Sequence, residues 1–276
     1  MTNSSIGVPA PAVLVPKTSA WTRRLTGTFV PRAVTGIVLL IVWEVVVRLF
    51  APAFVAKPST VVLAIPRVIV DPKFLQATAD TLAASAEGLI IALVLGTIIG
   101  LVIGRSPPCD RAIRHYVNGF YAMPMIIVLP LFSLWFGYSG GTRLATIIFA
   151  AIFSIIVNVS DGARSVPREY LEVARSFRSN RLRVLTEIVL PASMPYLLAG
   201  VRLAAGRALI GAVVAEFFLS VGGVGYYILY NSRSYHHSEA FVGVVLLAAF
   251  GVGIDFLVNW STKRFMPWYR RENQST

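Results

Sequence analysis

Long apolar runs, each broken by a short charged or proline-bearing stretch, organise this chain. Residues 88–104, 115–142 and 144–160 carry no Asp, Glu, Lys or Arg. About 20 apolar residues in a helix cross the hydrocarbon layer of a bilayer. The runs predict six spans at roughly 33–51, 82–104, 116–138, 143–160, 192–219 and 240–261. Residues 1–32 read as a partly disordered cytoplasmic tail in which Trp21-Thr-Arg-Arg begins an interfacial anchor, and 262–276 as a second cytoplasmic tail. Between them, 33–261 is expected as one transmembrane domain.

Within the second span, Gly96, Gly100 and Gly104 recur every four residues, a spacing that lets helix backbones approach closely in lipid. Pro124 and Pro130 bend or interrupt the third span. Pro58-Ser59-Thr60 starts a short surface helix before the second. The most polar connection, 161–191, is itself helix-patterned. Its apolar positions Val173 and Phe177, then Leu182, Leu185, Ile188 and Val189, predict two short helices meeting at Ser179-Asn180. Pro191 then opens the fifth span at a position where helices tolerate proline.

Composition agrees: 56% of the 276 residues are hydrophobic, only 14% are charged, and the formal net charge is +12. The positive excess has a membrane explanation, because inside loops collect Lys and Arg. With both termini inside, the inner segments hold 17 of the 25 basic residues and the outer ones 5. No aromatic-interleaved basic strip points to nucleic acid. A single cysteine, Cys109, excludes an intrachain disulfide and a multi-cysteine metal site. His236-His237 lacks further ligands and reads as a solvated loop.

The spacing in 161–191 resembles one family. Glu172-Val173-Ala174, three residues, Arg178, nine residues, then Ile188-Val189-Leu190-Pro191 is similar to the EAA loop of ABC importer permeases: E-A-A, three residues, G, nine residues, I-x-L-P. Val173 and Arg178 depart from the pattern. "PASMPYLLAGVRLAAGRALIGAVVAEFF", "LSVGGVGYYI", "MPMIIVLPLFSLWFG" and "RFMPWYR" resemble the nitrate/sulfonate/taurine branch. The resemblance implies an all-α integral membrane protein with the six-helix type I importer permease fold. It implies a prokaryotic inner membrane location and a homodimer. It also implies a cytoplasmic ABC ATPase dimer docked on Glu172, Val173, Ala174, Phe177, Arg178, Ile188, Leu190 and Pro191, and an extracytoplasmic substrate-binding protein near Gly222, Gly223 and Gly225, by the outer gate. The chain has no G-x-x-x-x-G-K-[ST] phosphate loop, so it is expected to be no enzyme and to carry no cofactor. Relatives of this branch carry nitrate, alkanesulfonates, taurine, aromatic carboxylates or thiamine-precursor pyrimidines.

Charges inside spans are costly and mark pathways or pairs. Glu44 and Arg48 are four apart and expected to pair. Arg202 snorkels toward the inner surface. Arg207 sits deeper and needs a partner: Asn158, Ser160 or Asp161, water, or a transported anion. Arg207, Arg202, Glu216 and Asn158 are therefore candidates for a solute path, a structural pair being the alternative for Arg207. Glu216 is either a gate or a packing residue. A secondary transporter or channel is the second reading of the chain, requiring an ion relay and internal repeats. A membrane enzyme is the third, requiring a convergent catalytic cluster.

Overall fold

Prolines and capping side chains mark where helices start and stop. A computed structural model describes residues 29–50 and 55–265. Regular structure among them is entirely helical: α1 Phe29–Phe50, α2 Pro58–Val68, α3 Pro72–Arg105, α4 Pro107–Ala122, α5 Met125–Phe136, α6 Gly140–Arg164, α7 Arg168–Ser176, α8 Arg181–Val184, a π turn Leu185–Val189, α9 Leu190–Leu219, α10 Val224–Arg233 and α11 His237–Phe265. Trp21, almost all of the N-terminal tail and the end of "RFMPWYR" lie outside the described residues. Residues up to Ser59 form one compact unit and those from Thr60 another.

Within the first unit, Glu44 and Arg48 pair as expected, Nε to Oε1 at 2.6 Å. The carboxylate of Glu44 also accepts the Ser59 backbone N–H at 3.0 Å and its hydroxyl at 2.8 Å. Glu44 thus serves the first turn of α2, where free N–H groups need acceptors.

Among the described residues, five helices are long and apolar enough to cross a membrane: Pro31–Phe50, Pro72–Arg105, Gly140–Arg164, Arg181–Leu219 and His237–Ser261. The expected third span is not one rod. It is the pair α4 and α5, bent by 101°. Pro124 disfavours helical backbone in the residue before it, and Met123 is accordingly extended at φ −69°, ψ 130°. Pro130, by contrast, sits inside α5 without ending it. The second span starts earlier than its apolar run, because Asp71 caps α3 by accepting the Lys73 N–H.

In the second unit, α6 lies between α3 and α9. Helices in lipid associate by close van der Waals packing rather than by expulsion of water, and the contacts are built from small residues. A Cβ on Gly100 would stand 2.8 Å from Val159 Cβ, and one on Gly104 would stand 2.5 Å from the Ser160 carbonyl oxygen. The glycine row of α3 is therefore the seam against α6. On α9, Gly200, Ala204, Ala208, Ala212 and Ala215 make the matching buried row. Ile147, Ile155 and Val159 of α6 fill the space between, all fully buried.

The second short helix expected before Pro191 is not separate. Arg181–Leu219 runs as one continuous helix. Proline cannot donate to the carbonyl four residues back. The π turn immediately before α9 absorbs that fault, with the Leu190 N–H reaching five residues back to the Leu185 carbonyl.

Candidate functional site

Three regions hold the residues that the sequence singles out: the loop 161–191, the charged mid-span positions and the glycine-rich turn after α9.

The loop 161–191 has α7 as its exposed helix. Leu171 packs onto the core shared by α3, α6 and α9, and Ala174 is buried at 4% exposure, so it is not on the face open to a partner as the sequence suggested. The opposite face is bare. Tyr170, Val173 and Phe177 follow at helical spacing and are 59%, 55% and 80% exposed. Glu172 is also exposed, while Ile188 and Leu190 are half-buried against the core and Pro191 is exposed. Tyr170 was not among the sequence candidates, although its place three residues before Val173 signals the shared face.

After Phe177 the chain reverses. The Ser179 N–H bonds the Ala174 carbonyl at 3.0 Å and the Arg178 N–H bonds that of Arg175 at 2.9 Å. This pair of bonds is a Schellman cap, which requires a left-handed residue. That residue is Arg178, at φ 50°. The position where the resembled pattern has Gly is the one where the backbone is least comfortable for any other residue. The arrangement carries a cost of about 1 kcal/mol relative to glycine. Arg178→Gly is therefore expected to raise the melting temperature of the purified chain by roughly 2–4 °C. An unchanged or lower value would show that the Arg178 side chain repays the strain.

At mid-span, Arg202 has a partner on another helix. It forms a two-pronged pair with Asp255 of α11, Nε to Oδ1 at 2.5 Å and Nη2 to Oδ2 at 3.2 Å. Asn259 donates to the same carboxylate at 2.9 Å. Both partners of the pair are about half exposed on this chain. Asp255 was missed from sequence, yet a lone acid in an apolar span was itself the signal.

Arg207 meets neither Asn158, Ser160 nor Asp161. Asn158 bonds the Ser154 carbonyl of its own helix at 2.7 Å, and Asp161 lies 3.7 Å from Arg164. The guanidinium of Arg207 instead stacks 4.0 Å from the centre of the Tyr121 ring and donates to the Tyr121 carbonyl at 3.4 Å. That carbonyl belongs to the last turn of α4, left short of helical donors by the Pro124 break. No carboxylate pairs with Arg207 among the described residues.

Glu216 is wholly buried at the end of α9. It accepts from Thr81 Oγ1 at 2.9 and 3.1 Å and from the Gly225 N–H at 2.9 Å. Arg143 stands 3.7 Å away and also donates to the Gly222 carbonyl at 2.9 Å. Thr81 in turn accepts the Val224 N–H at 2.8 Å. The turn 222–225 is thus wrapped around one carboxylate. Gly223 has φ 146°, and a Cβ there would fall 2.1 Å from the carboxyl carbon. Beside the turn, a recess of about 360 Å³ is lined by Lys73, Asp80, Gly222, Tyr226 and Tyr230 among others. At its edge, burial, with the Asp71 and Glu239 carboxylates beside it, pushes the Tyr227 phenol up to about 12.

The chain is similar to proteins of one kind. Residues 92–271 match the family described as binding-protein-dependent transport system inner membrane component. The putative aliphatic sulfonates transport permease protein SsuC of Bacillus subtilis (strain 168) is 28% identical over 84% of this chain and 84% of its own length. The nitrate import permease protein NrtB of Leptolyngbya laminosa is 28% identical over 86% and 88%. In fold, a bacterial ABC transporter involved in the import of the acidic polysaccharide alginate superposes with a TM-score of 0.62 at 14% identity, over 89% of this chain and 95% of that one. The family match covers more than half of the residues, and the chain belongs to the binding-protein-dependent transport system inner membrane components, as a permease of ABC importer type.

Proposed function

We propose that this permease is driven by a separate cytoplasmic ATPase gripping the bare face of α7, and that it conducts a small anionic solute. The observation that carries the first part is the outward row Tyr170, Val173 and Phe177 beside the inward-seated Leu171 and Ala174. One side of the helix is anchored in the bundle and the other offers apolar side chains to a groove, the form in which amphipathic helices are recognised. Motion of the partner then passes through Leu171, Ala174, Ile188 and Leu190 into the core. Glu172 supplies a charged register, Arg178 holds the turn after α7, and Pro191 lies in the continuous helix that carries the motion into the bundle. Two copies enclose the pathway, both tails lie inside the cell, and 33–261 forms the membrane domain. The ATPase cycle rocks the copies between inward-open and outward-open states. A binding protein outside delivers solute at the turn Gly222, Gly223 and Gly225.

Anion preference rests on Arg207. It is a half-buried guanidinium that no carboxylate neutralises among the described residues, whereas Arg202 is balanced by Asp255. Gly206 next to it faces open space, so the α9 surface there leaves room for solute. The sulfonate and nitrate named for two relatives are anions of the class such a guanidinium binds. Arg207→Gln is expected to lower ATP-driven uptake in proteoliposomes at least tenfold while complex assembly stays intact. Parallel loss of assembly and uptake would assign Arg207 to bracing the α4 break. Calorimetry on the cognate binding protein tests the class of solute: a neutral or cationic ligand would overturn the anionic reading.

A further inference from the structure

A groove of about 650 Å³ opens where the inner end of α3 meets α7 and α8. Arg105, Arg175 and Arg181 line it, and no acidic side chain does. None of the three forms an ion pair among the described residues, whereas Arg114, Arg164 and Arg183 nearby each hold a carboxylate. Arg105 makes one bond, to the Ala163 carbonyl at 3.3 Å. Three cations around one recess repel each other, and their forked donors match phosphate oxygens. Val102 also lines the groove. From it, Ile98, Val94 and Ile90 continue up α3 at intervals of four, 49–61% exposed. Residues four apart share one helix face, so the cationic recess opens directly onto an apolar track.

We propose that this groove binds the phosphate of an anionic membrane lipid, with an acyl chain along Val102, Ile98 and Val94. Basic recesses at the inner surface of a membrane suit such headgroups. Arg175 and Arg181 stand on either side of the Phe177–Asn180 turn, and Arg105 stands at the end of α3. A bound phosphate therefore ties both arms of the loop to the bundle.

The test uses the full-length chain in phosphatidylcholine nanodiscs, with and without phosphatidylglycerol. Phosphatidylglycerol should raise the melting temperature and be retained in native mass spectra severalfold over phosphatidylcholine. Arg175→Gln with Arg181→Gln should abolish both effects, and Arg175→Lys with Arg181→Lys should restore most of them. Equal retention of the two lipids by the wild-type chain overturns the proposal without recourse to any variant. Stabilisation by inorganic phosphate alone would make the ligand a free anion and overturn the lipid assignment. An effect of the arginine pair seen only with the ATPase present would make the groove a protein contact and overturn it equally.

Discussion

Glu216→Ala is expected to destabilise the chain by about 3 kcal/mol, because it leaves a half-buried cation and several buried donors without their acceptor. The carboxylate serves Thr81, the Gly225 N–H and Arg143 at once. Those groups come from α3, the start of α10 and the start of α6, so its removal loosens three elements rather than one. By the scaling of chains of this size, the melting temperature should fall by roughly 6–12 °C. Glu216→Gln keeps an acceptor and should lose less. Gly223→Ala should approach the alanine variant from the other side, since it puts a methyl group where the carboxyl carbon sits and forces a non-glycine residue to φ 146°. Thermal unfolding in detergent decides the matter. A Glu216→Ala chain that melts with the wild type would mean that water replaces the carboxylate and that the turn does not depend on it.

Phe177→Asp is expected to leave the fold alone and to cut association with the ATPase at least tenfold, the size of effect typical when an exposed aromatic anchor is lost. Phe177 is 80% exposed. A carboxylate there costs the isolated chain little, yet it would be desolvated in an apolar groove. Ala174→Asp is the opposing control. Ala174 is buried at 4% exposure, so that variant should unfold the loop whether or not a partner is present. Co-purification with the ATPase, read beside the melting curve of the permease alone, separates the two. An intact complex with Phe177→Asp would remove this face of α7 from the coupling interface.

Local periodicity carried much of the picture. Five of the six spans, the short helix at Pro58, the break at Pro124, the glycine seam on α3 and the pairing of Glu44 with Arg48 all follow from residues within a turn or two of one another, where helix geometry alone decides who meets whom. The spacing from Glu172 to Pro191 likewise located the loop. Its second arm was misjudged because Pro191 suggested a fresh start, whereas a π turn let the helix run through.

Partners chosen across the bundle were not legible. Glu216 meets Thr81 at a sequence separation of 135 residues, and Arg202 meets Asp255 at 53. The stacking of Arg207 on Tyr121 depends on the bend at Pro124 as well as on the packing of α9. A charge in an apolar run announces that it needs company, since burying it alone is costly, but its side-chain pattern is the same whichever helix arrives. The chain's own residues therefore determined which segments enter the membrane, which faces are small enough to pack and which charges must be satisfied. Only the tertiary structure decided which group satisfies each charge and that Ala174 points inward while Phe177 points out, because those outcomes depend on how separate helices lie against one another.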